Sequence, residues 1–138
     1  MITITRRFQY AMGHTLHEHE GACANLHGHN YVALISVAAD DLDSVGRVVD
    51  FGVIKEIIGA FINAQYDHKF LVNKADNRAD GLVALDDTVR VVDFNPTAEN
   101  LVTELLLESQ ALLTPLQLTI TRIVLWETEN AYAEIQCT

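Results

Sequence analysis

The sequence predicts an α+β fold in which a four-stranded antiparallel sheet carries two helices on one face. Apolar residues alternate near both ends of the chain, and two stretches between them repeat apolar residues with a helical period. Because strands that follow one another along the chain pair most simply as hairpins, we expect antiparallel pairing and the element order ββααββ. We expect residues 1–138 to form one domain, with an insert around residues 73–94.

The four strands are predicted in two pairs. Residues 2–10 alternate in polarity, and residues 27–39 are dense in Tyr, Val and Ile, which favour strands. Residues 15–26 between them are polar and rich in His, Glu and Gly, so we expect a loop there. Residues 119–127 and 131–136 form the closing pair across a short turn.

Two amphipathic helices are predicted between these pairs. Asp50 is a suitable N-cap for a helix that ends near Tyr66. The apolar positions of this helix are Val53, Ile54, Ile57, Ile58, Phe61 and Ile62. A second helix is predicted to begin with Asn95 as its N-cap and Pro96 at its first position. A small hairpin is expected within residues 81–94.

The chain is acidic, since nine Lys and Arg residues oppose 19 Asp and Glu residues and the formal net charge is −10. This balance argues against nucleic acid or an anionic membrane as a partner, because both attract a cationic face. It also argues, taken alone, against a phosphorylated substrate. Two cysteines, Cys23 and Cys137, can form at most one disulfide, and no targeting or membrane segment is visible. We therefore expect a cytoplasmic protein with reduced thiols.

Five of the six histidines fall within sixteen positions, and three of them have the spacing of a metal site. His27 and His29 open a predicted strand, where residues two apart point to the same face. His14 ends the preceding strand, so a hairpin would bring it alongside them. Three neutral imidazoles with an open fourth position form a catalytic zinc site. The alternative is that the His-Gly-His run is a surface turn or a satisfied polar pair.

Cys23 lies four residues before His27, in a loop of small residues. A thiol close to a divalent cation ionises more readily and can act as a base or a nucleophile. Two alternatives remain open at this point: Cys23 is a small buried residue, or it is a fourth zinc ligand.

Six motifs follow one another along the chain. They are Phe8-Gln-Tyr-Ala-Met-Gly-His14, Cys23-Ala-Asn-Leu-His27-Gly-His29-Asn-Tyr31, Val49-Asp50-Phe51, Tyr66-Asp67-His68-Lys69, Asn95-Pro-Thr-Ala-Glu99-Asn100 and Trp126-Glu127-Thr128. In this order they resemble the superfamily of 6-pyruvoyltetrahydropterin and 6-carboxytetrahydropterin synthases. The resemblance spans nearly the whole chain; one departure is Gly13, where Ala is more usual in this superfamily.

The resemblance implies a zinc site and a proton-transfer group. Its zinc ligands would be His14, His27 and His29. Cys23 would be the catalytic base or proton shuttle, supported by Asp67 and His68. We expect His68 to face Cys23 and do not assume a bond between Asp67 and His68. Capping contacts at the end of the helix are the alternative role for this pair.

The resemblance also implies a pterin-binding carboxylate. Glu127 would accept the two parallel N–H donors of the pterin ring as a fork, and Thr97 and Glu99 would also contact the substrate. Without the resemblance, Glu127 is interpreted as an ordinary residue at the end of a strand.

Three residues separate Cys23 from His27, and this spacing resembles the bacterial 6-carboxytetrahydropterin synthases. The implied reaction converts 7,8-dihydroneopterin triphosphate to 6-carboxy-5,6,7,8-tetrahydropterin, a precursor of 7-deazaguanines such as queuosine, with loss of acetaldehyde and triphosphate. Two alternatives are a 6-pyruvoyltetrahydropterin synthase, which eliminates triphosphate, and a non-catalytic zinc-binding assembly. A third branch uses Glu in place of Cys on dihydroneopterin; Cys23 argues against it, although Glu20 lies nearby.

The superfamily's tunnelling fold implies an oligomeric barrel, with a homo-hexamer favoured and active sites between protomers. A triphosphate would require a local positive pocket on this acidic chain. The candidate cations are Arg6, Arg7, Lys69, Lys74 and Arg78. Whether the insert covers the active site, contacts a neighbouring subunit or only decorates the surface is open at this point.

Overall fold

Six strands form one sheet and three helices accompany it, so the predicted α+β class is confirmed; the computed structural model describes residues 1–137. The strands are β1 (Ile4–His14), β2 (His27–Ala38), β3 (Phe70–Asn73), β4 (Val89–Val92), β5 (Thr119–Thr128) and β6 (Ala131–Gln136). The helices are α1 (Phe51–Gln65), α2 (Ala79–Leu85) and α3 (Ala98–Leu113). The order of strands across the sheet is β4-β3-β1-β2-β5-β6.

The predicted four-stranded antiparallel sheet with two helices is wrong in its number of elements. The four expected strands pair in antiparallel fashion, but β3 is parallel to β1 and β4 is parallel to β3. No hairpin forms within residues 81–94; instead α2 crosses between the two parallel strands, as parallel neighbours require. Each added strand has only four residues, too few for an alternating pattern to reveal it.

Strand β1 extends four residues beyond the alternating stretch 2–10 and ends at His14, within the histidine cluster. Across the antiparallel pair, His14 lies opposite His27, Gly13 opposite Gly28, and Met12 opposite His29. The residues that prolong β1 are also those that pair with β3, since Gly13 lies beside Phe70. The extra pairing therefore holds the metal-ligand candidate His14 in regular strand structure.

One apolar core joins the sheet to α1 and α3. Ile54 and Ile58 of α1 and Leu101 and Leu105 of α3 are fully or almost fully buried in the same cluster as the inward residues of β1, β2 and β5. The predicted helix after Asp50 is confirmed, and the Asp50 side chain accepts the amide proton of its second helical residue. Within residues 1–137, no helix has the length and apolar character needed to cross a bilayer.

The second long helix begins later than predicted. Thr97, rather than Asn95, is its N-cap, and the Thr97 hydroxyl accepts the amide proton of Asn100 at 3.2 Å. Asn95 instead bonds both backbone groups of His17, since its Oδ1 accepts the His17 amide at 2.7 Å and its Nδ2 donates to the His17 carbonyl at 3.0 Å. This residue therefore anchors the histidine-rich loop to the start of α3.

Candidate active site

The three histidines with the spacing of a metal site converge at one end of the β1–β2 pair. His14 Nε2 and His27 Nε2 are 3.0 Å apart, and one ring nitrogen from each of the three histidines lies within 4.8 Å of the others. The His29 ring centroid is 5.2 Å from that of His14 and 5.0 Å from that of His27. The structure thus brings together all three predicted ligands.

The hydrogen bonds of the outer ring nitrogens determine which nitrogens point into the cluster. His14 Nδ1 donates to the carbonyl of Pro96 at 2.7 Å, and His27 Nδ1 donates to the carbonyl of Asn25 at 2.7 Å. Because a carbonyl can only accept, the neutral rings carry their protons on Nδ1 and direct Nε2 lone pairs at each other. Two acceptors 3.0 Å apart need a cation or a proton between them.

The third imidazole completes this acceptor set. His29 Nε2 is buried, and within the described residues 1–137 it has no hydrogen-bond partner. It lies 3.7 Å from Glu127 Oε1, beyond hydrogen-bond distance. Two Nε2 acceptors that face each other and a buried third nitrogen without a partner fit a divalent metal that prefers imidazole. Hydrogen bonds from the opposite ring nitrogens are typical around such metals. The triad can therefore hold a metal ion.

The local electrostatics favour the neutral, ligating form of these rings. Burial lowers the pKa of His14 to about 4, although its bond to the Pro96 carbonyl acts in the opposite direction. Burial also lowers the pKa of His29, against the raising effect of the Glu127 carboxylate. At neutral pH both rings are uncharged, as metal ligands must be.

Cys23 lies on a 3-10 turn, Ala22–Ala24, in the loop between β1 and β2, the two strands that carry the three histidines. The cysteine is free and half-buried, and its carbonyl accepts the amide proton of Leu16 at 2.9 Å. Among residues 1–137, the group able to hold a metal consists of the three histidines and does not include Cys23. The geometry thus leaves the Cys23 thiol out of the candidate metal ligands. A fourth coordination position on a metal held by the three histidines is left open.

Asp67 and His68 bond each other, which the sequence did not predict. His68 Nδ1 is 2.9 Å from Asp67 Oδ1, and this oxygen also accepts the Ala11 amide at 3.2 Å. The backbone of His68 is left-handed, with φ of 60°, and its side chain is 82% exposed. His68 lines a cavity of about 460 Å³ together with Gly13, Gly28 and Lys69, and Cys23 is not part of that lining. Within one chain His68 therefore points to solvent rather than into a pocket with the thiol.

The predicted substrate-binding residues line one cavity of about 360 Å³. Glu127, Thr97 and Glu99 line it together with Leu16 and other residues. The Glu127 side chain is 26% exposed, and its Oε1 lies 3.7 Å from His29 Nε2. The cavity thus contains a carboxylate acceptor, Glu127, that lies next to one histidine of the cluster. The Thr97 hydroxyl already accepts one hydrogen bond as the N-cap of α3, and its own proton remains available to donate to a substrate.

One of the cations considered for a triphosphate is engaged elsewhere. The Arg78 guanidinium donates to Asp76, to the carbonyl of Ala24 and to the hydroxyl of Thr15. Arg78 is therefore not free to bind a phosphate group, while the other candidates carry no such network among the described residues 1–137.

Pro96, Asn95 and Arg78 were not predicted as supports of the site, because backbone acceptors and long-range partners leave no local sequence signal.

Comparisons with known proteins identify the class to which this fold and site belong. The family model of 6-pyruvoyl tetrahydropterin synthase matches residues 3–137, and the chain belongs to this family. The 6-carboxy-5,6,7,8-tetrahydropterin synthase of Rickettsia conorii is 34% identical over 138 residues, which cover 98% of this chain and 100% of that protein. The protein of the same name from Haemophilus influenzae is 32% identical over 143 residues, covering 99% of each.

Solved structures confirm the fold. The 6-pyruvoyl tetrahydropterin synthase of Caenorhabditis elegans superposes with a TM-score of 0.73 at 19% identity, over 99% of this chain and 96% of that one. An uncharacterized protein from Wolinella succinogenes superposes with a TM-score of 0.87 at 20% identity, over 99% and 98% of the two chains. The family resemblance stated from the six motifs is confirmed by the family model and by the two sequence relatives.

Proposed function

We propose that this chain is a zinc-dependent 6-carboxy-5,6,7,8-tetrahydropterin synthase that acts on 7,8-dihydroneopterin triphosphate. The observation that carries the proposal is the convergence of three imidazole acceptors beside the cavity that contains Glu127. The names and full-length coverage of the Rickettsia conorii and Haemophilus influenzae relatives support this reaction. The single domain over residues 1–138 and the cytoplasmic location stay predictions of the sequence.

His14, His27 and His29 would hold the zinc ion. Three neutral imidazoles with an open position are the ligand set of catalytic rather than structural zinc sites. When bound, zinc supplies Lewis-acid stabilisation of negative charge on the oxygens of the substrate side chain. The carbonyls of Pro96 and Asn25 would keep two of the ligands in the required tautomer.

Glu127 would bind and orient the pterin. Its half-buried carboxylate projects from the end of β5 and can accept two parallel N–H donors at once. Thr97 and Glu99 line the same cavity, and Thr97 can still donate its hydroxyl proton. A substrate held at Glu127 would lie close to the histidine cluster, because Glu127 Oε1 is 3.7 Å from His29 Nε2.

Cys23 would remove the carbon-bound proton of the substrate side chain. Its turn lies between β1, which carries His14, and β2, which carries His27 and His29. Cysteine is one of the side chains that act as general bases in enzymes. Asp67 and His68 would support the same proton transfer from a second subunit, since the His68 side chain is exposed and hydrogen-bonded to Asp67.

The oligomeric barrel is part of the proposal. The outer strands β4 and β6 leave peptide groups unpaired at both edges of the sheet, and such edges invite pairing with another chain. Light scattering at micromolar concentration should detect a closed oligomer, with a hexamer favoured. Mixing inactive Cys23→Ala and His68→Ala proteins should restore activity if each active site uses both chains; a fully active monomer would contradict this.

The reaction is tested with the zinc-loaded protein and 7,8-dihydroneopterin triphosphate. Mass spectrometry should detect 6-carboxytetrahydropterin together with acetaldehyde. A pyruvoyl product alone would instead make the protein a 6-pyruvoyltetrahydropterin synthase. No turnover of any dihydroneopterin would identify a non-catalytic zinc-binding assembly.

A further inference from the structure

We propose that Arg78 is a positioning residue that holds the Cys23 turn in place relative to the histidine triad. Arg78 belongs to the segment predicted as an insert, far in sequence from both elements that it joins. The inference rests on the proposed function, because it gives Arg78 a task in the proton transfer assigned to Cys23. It also gives the insert a role at the active site.

Arg78 connects the residue after His14 to the residue after Cys23. Its Nη1 donates to the Ala24 carbonyl at 2.8 Å, and its Nη2 donates to the Thr15 hydroxyl at 2.9 Å. The Thr15 hydroxyl in turn donates to the same Ala24 carbonyl at 2.8 Å. Three hydrogen bonds therefore close a ring among the guanidinium, the end of β1 and the turn.

A buried carboxylate fixes the orientation of the guanidinium. Arg78 Nε donates to Asp76 Oδ1 at 3.0 Å, and Nη2 donates to Asp76 Oδ2 at 2.8 Å. The Asp76 side chain is only 2% exposed, so it cannot exchange this partner for water without cost. Because the fork of an arginine is planar and rigid, fixing one edge on Asp76 aims the remaining N–H groups at Ala24 and Thr15.

The Cys23 turn depends on such bonds because it has no core of its own. None of its three residues, Ala22–Ala24, is buried, and no side chain caps it. The position of the turn is set by hydrogen bonds to its backbone carbonyls. The Leu16 amide donates to the Cys23 carbonyl, and the side chains of Arg78 and Thr15 donate to the Ala24 carbonyl. The next carbonyl, that of Asn25, accepts from the zinc-ligand candidate His27. A shift of the turn would therefore move the thiol relative to the triad.

The experiment uses the zinc-loaded full chain with Cys137→Ser, so that Cys23 is the single thiol. Arg78→Met removes the guanidinium, and Arg78→Lys keeps the charge beside Asp76 but loses the fork. The matched control is Arg122→Met, which also breaks an arginine–carboxylate pair, since Arg122 Nε on β5 donates to Glu134 on β6 at 2.8 Å. The readouts are the rate of Cys23 alkylation by iodoacetamide, the zinc content, kcat and KM.

Both Arg78 variants should retain zinc and change the alkylation rate of Cys23 by about threefold or more. Their kcat should fall about tenfold or more while KM changes little, since misplacing a reacting group costs turnover rather than binding. The Arg122→Met control should leave these quantities unchanged. A purely structural role would lower thermal stability without separating kcat from KM.

An alkylation rate and a kcat within about twofold of the parent in the Arg78 variants would overturn the proposal, as would an equal effect of Arg122→Met. If Arg78→Met does not fold, Arg78→Lys decides the question by the same criteria. If the parent protein turns over no dihydroneopterin, the proposed function fails. The alkylation rates then still decide whether Arg78 positions the Cys23 turn.

Discussion

His14 donates its Nδ1 proton to the backbone carbonyl of Pro96 across 82 positions of sequence, at 2.7 Å. This bond joins the end of β1 to the segment before α3 and directs His14 Nε2 toward His27. Because the ring is fully buried, losing this acceptor would leave an unpaired N–H in the core. The fold itself thus presets the orientation of one candidate metal ligand.

Removing any one member of the triad should abolish zinc binding. His14→Ala, His27→Ala and His29→Ala each leave two imidazoles, too few for a stable site. Activity should fall by more than the roughly tenfold to hundredfold typical of residues that only hydrogen-bond to a ligand. Metal analysis after dialysis checks this expectation. His19→Ala, in the exposed part of the loop, is the matched control and should retain zinc; a zinc-replete His29→Ala protein would refute the assignment.

Cys23→Ala should retain zinc and lose turnover. The thiol lies outside the group of residues able to hold the metal, so its removal takes away the proposed base and leaves the ligands intact. We expect a loss of kcat of about a hundredfold or more, in the range of general acid–base catalysis. Cys137→Ser is the control, since Cys137 is exposed near the end of the chain. Loss of zinc from Cys23→Ala would make Cys23 a ligand instead.

Glu127→Gln should weaken substrate binding without affecting zinc content. An amide has one acceptor oxygen and no charge, so it cannot accept two pterin donors as a fork. Losing a charged hydrogen bond costs about 1.5–3 kcal/mol, which corresponds to about tenfold to a hundredfold in affinity. Calorimetric titration with a pterin measures the change. Glu129→Gln, in the adjacent exposed turn, should bind as the parent does; equal weakening in both variants would argue against Glu127 as the anchor.

Gly13→Ala should destabilise the fold because of Phe70. A Cβ at position 13 would lie 2.5 Å from Phe70 Cδ2, closer than any carbon contact permits, so the Phe70 ring must move. We expect a loss of about 1–3 kcal/mol in the free energy of unfolding, measured by urea denaturation. Adding Phe70→Leu should recover part of that loss. Gly81→Ala is the control, since a Cβ there meets nothing within 4 Å and helix α2 should gain stability.

Asp76 should make stability depend on pH in acid. Hydrogen bonds from Arg78 lower the pKa of the Asp76 carboxyl from 3.8 to about 2. A lowered pKa in the folded state stabilises the protein above pH 4, and this stabilisation is lost as pH falls from about 4 to about 2. Asp76→Asn should therefore cost about 2 kcal/mol at neutral pH and little near pH 2. Denaturation curves at several pH values check this; a pH-independent cost would contradict it.

The sequence predicted the elements whose patterns are long. The antiparallel strands and the two long helices follow from period-two and helical repeats that cover ten or more residues in most cases. It failed for β3 and β4, because four-residue strands carry too little pattern and derive their stability from neighbours distant in sequence. The shift of the α3 N-cap from Asn95 to Thr97 has a similar cause. The Asn95 side chain bonds the backbone of His17, which is distant in sequence.

The candidate site divides in the same way. His14, His27 and His29 could be predicted because strand geometry places residues two apart on one face and a hairpin brings the third alongside. The motif order likewise pointed to Cys23 and the Glu127 carboxylate as site candidates, and their roles stay predictions. By contrast, no sequence pattern predicted the bond between Asp67 and His68 or the exposure of His68. Both depend on the left-handed backbone conformation of His68.

The amino-acid order alone determined the fold class, the ligand candidates and the family, because these depend on local periodicity and on short motifs. Only the tertiary structure decided the parallel β3–α2–β4 addition, the tautomers of His14 and His27, and the hydrogen bonds of Arg78 to Thr15 and Ala24. These features rest on backbone carbonyls and on partners up to 82 residues away. A carbonyl is the same in every residue, so its choice as a partner is set by the folded chain and not by side-chain identity.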